Sequence, residues 1–581
     1  MEPRKRQPSR PLPFDEQQFN FCLNTLCENY GVAPLTSVGT GRGAIGDFYR
    51  MVGGTHRSEL RCMRCMHQTR LKSNQAAVEE FLRYRTYLQP AAPPSCPRET
   101  CAGQQTAIQR FGTTPTGSVR YRCAACSRTF SIPIRATWKQ KASTKNEIVL
   151  KLLVNKMPMR RILEVADISA STLYRKLAFS HAQCVRFAAR HEARLPGMDL
   201  GHVRVGSDQQ TYLINWGSHI DRRNFALRAL VTADNGSGFV FAVHPNFDPE
   251  TDPMTVEREA RLCGDNDLPP QHRRHARLWL ARDYLDVSKE RRDRSAATDR
   301  SQPTAGGDLH EEDMYDEAGE LKRPTRGMQV HQAYVFLGHF QFLRHLLQGA
   351  SRLSIAVDPD SGLKQGALAV FHDAITAGRC RVFELNIAKG ATVDDKELAV
   401  MQAMNALDRV RADFAGMNRD AAAVLLAARQ LAAWKNSTAP AEKHWIDHPL
   451  PNRAEPRLRV LPVSPRAAES VYAVAQDVVE STIRNTDRFF MIVRRRLSLL
   501  ERPIKTPSSA SRSWHAYSPY DPAIACRVVE TLRVVFNYHL AGKDKQTPAM
   551  RLGLADRPYS LAEILAEPRV AAVNSRRKQT A

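Results

Sequence analysis

The spacing of apolar residues changes from helical to extended along this chain. From Thr144 to Phe179 the apolar positions recur every three or four residues and predict three short helices. From Val203 the segments VRVGSDQQTYLINW, NFALRALVTAD and FVFAVH are rich in β-branched and aromatic residues, and the turn NGSG at 235–238 separates the last two. The pattern predicts a helical segment followed by three consecutive antiparallel strands.

A charged segment interrupts the pattern after the third strand. Residues 251–326 are crowded with charge, proline and glycine and have few large apolar residues, so we expect a solvated, partly disordered insertion. Beyond it the pattern predicts a helix (HQAYVFLGHFQFLRHLL), a strand from Leu353 to Val357, a helix (KQGALAVFHDAI) and a strand (RVFELNIA). An Ala-rich helical stretch and one long helix from about Ala475 to Leu500 follow.

The three short helices have the arrangement of a helix-turn-helix. The second runs from about Met159 to Ala166 and the third from Ala170 to Phe179, with Ser169 placed to cap it. The residues expected to face inward are Ile148, Val149, Leu152 and Leu153, then Ile162, Leu163 and Ala166, then Leu173 and Leu177. The residues of the third helix left for solvent or DNA are Ser171, Thr172, Tyr174, Arg175 and Lys176. A last helix of this kind enters the major groove of DNA, although a purely structural helical hairpin has the same pattern.

Eight of the twelve cysteines form a duplicated pattern. Each half has a C-x4-C pair followed by a C-x2-C pair, and the surroundings repeat as well, because FYRMVGG…ELRCMRC matches IQRFGTTPTGSVRYRCAAC. The two sets are Cys22, Cys27, Cys62 and Cys65, and Cys96, Cys101, Cys123 and Cys126. Two close pairs of thiolates suit one tetrahedral Zn²⁺, so the spacing predicts two structural zinc ribbons. The alternative is eight buried or disulfide-bonded cysteines, which such regular pairs in a chain without a secretory signal disfavour.

The charge of the chain favours a nucleic-acid partner. Its 581 residues include 84 Lys and Arg against 60 Asp and Glu, a net charge of +24 that attracts polyanions. A chain of this length should hold three or more domains. No run of 18 apolar residues occurs and no apolar segment follows the basic N-terminus, so we expect neither a membrane span nor a signal peptide. The remaining cysteines are expected to be ordinary thiols in a reducing compartment, and the protein to be cytoplasmic and associated with the nucleoid.

Acidic residues on separate predicted elements have the chemistry of a magnesium site. Asp208 lies in the middle of the first strand, Asp358 directly follows the strand that ends at Val357, and Asp487 or Glu480 lies on the late helix. Mg²⁺ prefers carboxylate oxygens, and two such ions about 4 Å apart activate an attacking oxygen and stabilise a leaving one. Any one of these acids could be a turn or capping residue, but together they are expected to converge at one end of the sheet.

Three segments carry a family resemblance. CPRETC…GSVRYRCAACSRTFS with the following helix-turn-helix, NTDRFFMIVRRRLSLLERP, and FNYHLAGKDKQTPAMRLGLA occur in this order. The first two resemble the N-terminal modules and the third-acid helix of short insertion-element proteins, and the last resembles the C-terminal YN…TPA-x-x-LGL segment of many transposases. The chain thus resembles a bacterial insertion-sequence transposase of the DDE/D superfamily over nearly its full length, except for 251–326. The resemblance implies a ribonuclease H-like fold and a triad of Asp208, Asp358 and Asp487, with Asp in place of the usual third Glu.

Glu480 is the rival for the third acid. It lies seven residues before Asp487, so in one continuous helix both would occupy nearly the same face, about 10.5 Å apart along the axis. The resemblance favours Asp487, because the FF and RRR neighbours follow it at the family spacing. Arg494, Arg495 and Arg496 would then bind phosphate oxygens near the metal ions, with a solvated basic face as the alternative.

These observations predict a multidomain α+β protein with tandem zinc ribbons, a helix-turn-helix and a ribonuclease H-like mixed α/β catalytic domain with insertions. The expected domains are zinc ribbons (1–140), helix-turn-helix (141–195), catalytic domain (196–250 and 328–510), charged insertion (251–327) and helical tail (511–581). The implied function is a DNA transposase that binds double-stranded DNA, at its element ends and target, and cuts and joins strands with two Mg²⁺. At least a dimer is expected, because two ends must be held together. The alternatives are a DNA-binding regulator without catalysis and a nuclease of the same fold that cleaves without joining.

Overall fold

The structure is a computed structural model, in which the chain forms two compact units. The residues it describes are 10–35, 48–54, 58–89, 94–101, 108–115, 117–132, 136–138, 140–215, 224–286, 326–387, 392–414, 416–435, 444–450, 457–464, 470–501 and 521–568. The sheet unit comprises Met1–Tyr84, Pro196–Ile492 and Pro503–Ala523, and the helical unit comprises Arg85–Leu195, Val493–Arg502 and Ile524–Ala581.

Helices and strands are mixed in the described residues. The strands are β1 (Tyr49–Val52), β2 (Glu59–Cys62), β3 (Gln68–Arg70), β4 (Ile108–Thr113), β5 (Val119–Cys123), β6 (Thr129–Ile132), β7 (Gly201–Asn215), β8 (Asn224–Asp234), β9 (Val240–Pro245), β10 (Phe247–Asp248), β11 (Met328–Gln329), β12 (Ala350–Val357), β13 (Cys380–Ile387), β14 (Ile446–Asp447) and β15 (Leu458–Pro462). The helices are α1 (Asn74–Arg85), α2 (Asn146–Leu153), α3 (Met159–Ala166), α4 (Ala170–Glu192), α5 (Pro253–Cys263), α6 (Gln332–Leu346), α7 (Ser361–Val370), α8 (His372–Thr376), α9 (Val393–Asp413), α10 (Arg419–Lys435), α11 (Val471–Glu480), α12 (Arg484–Arg496), α13 (Pro522–Tyr538), α14 (Pro548–Arg551) and α15 (Leu561–Leu565).

The sheet unit contains a seven-stranded sheet in the order β14-β15-β13-β12-β7-β8-β9. β7, β8 and β9 pair antiparallel, as the strand pattern predicts, whereas β12 pairs parallel with β7 and β13 parallel with β12. The last five residues of β12 and the first six of β13 are buried. Their near-continuous apolar sequences follow from this burial, because parallel central strands are covered on both faces.

Apolar packing fixes the helices that follow the parallel strands. One buried cluster joins the sheet to α10 and α11, and its members are Ala356, Phe383, Leu385, Val424, Ala427, Leu431, Ile446, Leu458, Val460, Val474, Ala475, Val478 and Ile483. The cluster includes residues of β12, β13, β14 and β15, so α11 is held directly against the sheet. This packing fixes the position of α11, the helix that precedes α12 in the chain.

The predicted single helix from about Ala475 to Leu500 is two helices. α11 ends at Glu480 and α12 begins at Arg484, with Ser481 to Ile483 between them. The Ser481 hydroxyl donates to the Asp477 carbonyl at 2.7 Å, and its backbone N–H donates to Val478 O at 3.2 Å. The expectation that Glu480 and Asp487 share one helix face is therefore wrong.

Part of the predicted insertion is ordered. Residues 253–263 form α5, and the segment after it buries Leu278, Trp279 and Leu280. Arg277 lies beside them and forms ion pairs with Glu80 (3.1 Å) and Asp248 (2.7 Å). The remainder of the insertion, 287–325, lies outside the described residues.

The first cysteine-rich module belongs to the sheet unit and the second to the helical unit. β1, β2 and β3 form one three-stranded sheet, and β4, β5 and β6 form another. In the first module Tyr30 donates through its hydroxyl to Leu368 O (2.8 Å), and Thr25 donates to Val463 O (2.6 Å). The two ribbons expected within 1–140 thus lie in different units.

The helical unit contains the three helices predicted as a helix-turn-helix, with one difference in length. α3 has the predicted bounds, and the Ser169 side chain accepts a hydrogen bond from Thr172 N–H, as expected of the N-cap of α4. α4 continues to Glu192 rather than ending at Phe179. Its second half buries Glu192, whose carboxylate accepts two hydrogen bonds from Arg533 of α13 at 2.9 and 3.2 Å.

The apolar face of α2 also differs from the prediction. Val149, Leu150 and Leu153 are buried, whereas Ile148 is 37 % exposed. The predicted apolar stripe does not include Leu150. Contacts of α2 with α3 and α4 determine which side of α2 is buried, and the local sequence pattern does not contain those contacts.

Candidate metal centres and an acidic sheet edge

The first cysteine tetrad is built from a strand end and a preceding loop. Cys62 ends β2 and Cys65 follows it, whereas Cys22 and Cys27 lie before β1. The Sγ atoms of Cys22 and Cys65 are 3.5 Å apart and those of Cys27 and Cys62 are 3.8 Å apart. All four Sγ atoms lie within 4.8 Å of one another, which brings the two predicted pairs together.

The second tetrad repeats this arrangement in the helical unit. Cys123 ends β5 and Cys126 follows it, whereas Cys96 and Cys101 lie before β4. The Sγ atoms of Cys96 and Cys126 are 3.6 Å apart, and all four again lie within 4.8 Å of one another. Ile108 packs against the three buried cysteines of this set and shields them on one side.

The cysteines that end the strands have acidic thiols. Burial raises the pKa of the Cys62 thiol, but hydrogen bonds from the Cys65 backbone and from the Asn29 side chain outweigh burial and bring this pKa down to about 7. A hydrogen bond from the Cys126 backbone N–H lowers the pKa of the Cys123 thiol to about 6. A thiolate is the metal-binding form of cysteine, so in each tetrad these hydrogen bonds favour that form in one thiol, whereas burial and the neighbouring sulfurs raise the pKa of Cys27 and Cys101 to about 11.

The sulfur distances fit a tetrahedral metal ion better than they fit disulfides. Four sulfurs about 2.3 Å from one Zn²⁺ are separated from each other by roughly 3.8 Å, whereas a disulfide bond is about 2.05 Å long. The measured separations of 3.5, 3.8 and 3.6 Å match the first value. All twelve cysteines are free thiols. Each tetrad can therefore hold one structural zinc ion.

Asp208 and Asp358 are neighbours at one end of the parallel strand pair. The register of β7 and β12 pairs Ser207 with Val357, so the next residue on each strand is one of these aspartates. The Asp358 backbone N–H donates to Ser207 O at 3.4 Å, which extends the pairing to this level. Both aspartates are half-buried. Because they occupy equivalent positions on adjacent parallel strands, they belong to the same face of the sheet.

The start of α12 packs on β7 two residues before Asp208. A Cβ atom placed on Gly206 would lie 2.6 Å from Thr482 O and 2.9 Å from Ile483 Cα. The Thr486 hydroxyl donates to Gly206 O at 2.7 Å. Since side chains two residues apart on a strand share a face, α12 covers the face of β7 to which Asp208 belongs.

Asp487 is therefore positioned by the contacts of its neighbours. It follows Thr486 directly, lies in the first turn of α12 and is exposed. Its backbone N–H donates to Ile483 O at 2.9 Å. The structure thus brings three predicted acids to one region. Their carboxylate oxygens are farther apart than the cysteine sulfurs, because among the described residues only the two cysteine tetrads have three or more possible ligand atoms within 4.8 Å of one another.

Asp360 lies two residues after Asp358, and its side chain caps a helix. One of its carboxylate oxygens accepts from the backbone N–H groups of Gly362 (2.8 Å) and Leu363 (3.0 Å), which caps α7. Its other oxygen accepts from Gln209 Nε2 at 2.7 Å. Both oxygens are therefore occupied by protein donors, so Asp360 is explained as a helix-capping residue.

Glu480 has a structural partner instead of a place beside Asp487. Its carboxylate forms an ion pair with the Arg204 guanidinium of β7. The adjacent Asp477 is buried and forms ion pairs with Arg352 (2.7 Å) and Arg381. This cluster ties the end of α11 to the sheet, so Glu480 is better explained by charge neutralisation than as a ligand.

Most predicted DNA-facing residues of α4 lie on its outer side. Ser171, Tyr174 and Arg175 are exposed, and Thr172 is partly exposed. The Arg175 side chain folds back along the helix, with Nη2 3.3 Å from Ser171 Oγ. These residues are accessible at the N-terminal half of α4, where a groove-binding helix makes its base contacts.

The prediction that Lys176 faces solvent or DNA is wrong. Its side chain is 1 % exposed, and its Nζ donates to Ala142 O (2.6 Å) and Asn146 Oδ1 (2.8 Å). Burial lowers the pKa of this amine. Lys176 holds the chain that enters α2 against α4 and is a structural residue of the helical unit.

The three arginines at the end of α12 differ in environment. Arg495 is exposed and Arg494 is partly exposed. Arg496 donates to Val154 O at 3.2 Å and to Asn155 Oδ1 at 3.1 Å, so it fixes the connection between α2 and α3. The role of Arg496 in the structure is to hold this turn, whereas Arg495 is the one most open to a phosphate.

Two positioning residues of the acidic edge were missed in the sequence. Gly206 and Thr486 make the contact between β7 and α12 described above. A glycine inside a strand is a known sign of close backbone approach, and VRVGSD contains such a glycine two residues before Asp208. Thr486 had no comparable signal, because its partner is 280 residues away.

Comparison with known proteins does not identify the chain. No protein-family model matches it, and no curated protein matches it either. Within the described residues no helix has the length and apolar character needed to cross a membrane. The features of the molecule that bear on its function are the two tetrads, the acidic edge and the exposed face of α4.

Proposed function

We propose that this protein is a DNA transposase of the DDE/D type, which cuts and joins DNA strands at the acidic edge formed by Asp208, Asp358 and Asp487. The observation that carries the proposal is the placement of Asp208 and Asp358 at equivalent positions on adjacent parallel strands, with α12 packed on the same face. Asp208 and Asp358 are 150 residues apart in sequence, and Asp358 and Asp487 are 129 residues apart, so their grouping is not a local turn or a helix cap.

The strand order supports a ribonuclease H-like fold. In that fold three antiparallel strands are followed by two parallel strands added next to the first. β9-β8-β7-β12-β13 has this order and these directions. Two more strands, β15 and β14, extend the sheet beyond β13. The first acid of such a fold lies on the first strand and the second on the first parallel strand to be added, as here.

The residues at the edge fit magnesium by donor type. Carboxylate oxygens are the ligands Mg²⁺ prefers, and the ion keeps several waters, so three acids suffice. Bound Mg²⁺ would supply charge neutralisation for the phosphate and activation of an oxygen nucleophile. The chain's own contribution is to hold the acids: Thr486 and Gly206 fix α12 on β7, and the Ser207–Asp358 backbone bond fixes the strand ends.

The helical unit supports the DNA-binding part of the proposal. α2, α3 and α4 have short connections, and the outer side of α4 exposes Ser171, Tyr174 and Arg175. Positive charge would provide salt-dependent affinity for DNA phosphates, while α4 would provide sequence preference. Element-end recognition by α4, and an assembly of at least two copies, complete the proposed activity.

The test is a strand-cleavage and strand-transfer assay on Asp208→Asn, Asp358→Asn and Asp487→Asn. Each substitution preserves shape and removes a negative ligand, so we expect a loss of roughly 10³-fold or more in rate with DNA binding retained. Glu480→Gln is the matched control, because it changes an acid that pairs with Arg204 and should act mildly.

The outcomes separate the competing functions. Full activity in all three aspartate variants would refute the mechanism. A dead Glu480→Gln beside an active Asp487→Asn would move the third ligand to Glu480. Cleavage without any joined product would favour a nuclease, and DNA binding without cleavage in the unmodified protein would favour a regulator.

A further inference from the structure

The outer face of the second ribbon sheet is cationic and carries an exposed aromatic ring. β4 pairs with β5 in the register Gln109 with Arg122, and β5 pairs with β6 in the register Arg122 with Thr129. Tyr121, on the opposite face of β5, is buried, whereas Arg120 and Arg122 are exposed. This sheet therefore presents one face to its own core and the other to solvent.

Phe111 lies on the solvent face between the two arginines. The ring is 47 % exposed. The guanidinium carbons of Arg120 and Arg122 are 5.9 and 5.6 Å from its centroid. Because the Phe111 ring is so exposed, its burial contributes little to the stability of the fold. Its position between two cations suits a flat, negatively charged ligand.

The duplication supplies an internal comparison. Tyr49 pairs with Cys62 in the first ribbon as Ile108 pairs with Cys123 in the second, so the two registers match as far as Met51 and Arg110, after which the second ribbon has an irregularity. Val52 then stands where the second ribbon has Phe111, and Glu59 stands where it has Arg120. The equivalent of Phe111 is thus an aliphatic residue and that of Arg120 is an acid, whereas the arginine at Arg122 is shared with the first ribbon as Arg61.

The two ribbons carry the same net charge and differ in how it is arranged, since residues 49–70 contain five arginines and one glutamate. From Ile108 to Ile132 the second ribbon has four arginines and no Asp or Glu. In the first ribbon Glu59 lies directly opposite Arg70 in the strand register, so its outer face contains an acid beside a base. Both ribbons kept their cysteines, but only the second has a face free of acidic side chains with an aromatic residue in it.

We propose that the outer face of β4, β5 and β6 is a binding platform for single-stranded DNA, on which Phe111 stacks against an unpaired base and Arg120 and Arg122 bind the flanking phosphates. Aromatic stacking next to basic side chains is how proteins hold unpaired strands without reading their sequence. A duplex offers its phosphates but not its base faces, so the exposed ring favours a single strand over a duplex. The inference rests on the proposed function, since strand cleavage at an element end exposes unpaired bases.

The experiment measures binding of the full-length zinc-loaded protein to an oligo-dT of about 12 nucleotides and to a duplex of unrelated sequence. Fluorescence anisotropy at several salt concentrations gives both affinities. We expect Phe111→Ala to weaken oligo-dT binding about 10-fold and to change duplex binding little. Phe111→Trp should keep the affinity for oligo-dT, because it retains a stacking surface.

Arg120→Glu reproduces the residue of the first ribbon at this position. It should weaken binding to both probes and make oligo-dT binding less dependent on salt, since each lost phosphate contact reduces the slope by about 0.7 for a single strand. Val52→Ala in the first ribbon is the matched control and should leave both affinities unchanged. Two zinc ions per chain in every variant would show that the ribbons remain folded.

The result that overturns the inference is equal oligo-dT affinity for the unmodified protein and Phe111→Ala. Equal losses on both probes would also overturn it, because the ring would then contact duplex DNA. The proposed transposase activity is tested separately by the aspartate variants. Oligo-dT binding that depends on Phe111, in a protein whose Asp208→Asn variant still transfers strands, would leave this inference standing and remove the proposed triad of metal ligands.

Discussion

Replacing Gly206 by alanine should damage the acidic edge far more than it damages the fold. The added Cβ would lie 2.6 Å from Thr482 O, about 0.7 Å closer than the shortest ordinary carbon–oxygen contact. Both the nearest atoms belong to the backbone, so neither can rotate away, and the start of α12 must move off β7.

The magnitude follows from this displacement. Overpacking of this kind costs about 1–3 kcal/mol, and the smaller freedom of alanine in the unfolded chain offsets at most about 1 kcal/mol. We therefore expect a fall of about 2–4 °C in the melting temperature of the sheet unit. Strand cleavage should fall roughly 10- to 100-fold, because a shift of about 1 Å in a catalytic group has effects of this size.

The assay combines thermal unfolding with strand cleavage on the same preparations. Gly197→Ala is the matched control, since a Cβ on Gly197 meets nothing within 4 Å. If Gly206→Ala leaves both the melting temperature and the cleavage rate unchanged, the contact between α12 and β7 does not position Asp487.

Three further outcomes are expected. Elemental analysis of the purified protein should find two zinc ions per chain, and fewer than one would contradict the assignment of the tetrads. Arg175→Ala should weaken DNA selection without changing the melting temperature. Lys176→Ala should lower the melting temperature, because it removes buried hydrogen bonds worth about 1–3 kcal/mol. The opposite pattern would show that Arg175, and not Lys176, lies on the buried side of α4. Burial lowers the pKa of His339 to about 3, below its unfolded value of about 6.5, so its contribution to stability is present above pH 6.5 and is lost as the pH falls, by about 1.4 kcal/mol per pH unit. His181 and His448, whose pKa values burial lowers to about 4, act in the same direction. His339→Asn should therefore reduce the pH dependence of the urea midpoint between pH 7 and 5 without abolishing it, and an unchanged slope would exclude His339 as a contributor.

The elements that were predicted correctly have strong local signals. The strands of the sheet contain long β-branched and aromatic runs. The two cysteines of each pair are three or five residues apart, so the pairs are evident in the sequence. Ser169 is followed by a helical pattern and caps it. The break at 481–483 contains neither proline nor glycine, so the sequence read as one helix. That break depends on packing against Gly206, more than 270 residues away, which no local pattern contains.

Burial of charged residues was the main source of error. Lys176 was placed outside because lysine is rarely buried, yet it lies three residues after Leu173 on the inward side of α4. The segment 251–286 was expected to be solvated because of its charge, although LWL at 278–280 is buried and Arg277 is neutralised by Glu80 and Asp248. In both places a partner distant in sequence makes burial favourable. The triad itself stays a prediction, since its test is chemical.

The division of the tetrads between the two units means that the two metal ions are not equivalent. The first tetrad shares its unit with the seven-stranded sheet, and the second shares its unit with α4. Where zinc is scarce, the ion with the faster release rate would be lost first, and its own unit would lose shape while the other kept it. Metal starvation would then yield a protein with one intact unit, and the release rates of the two tetrads would decide whether it is the sheet unit or the helical unit.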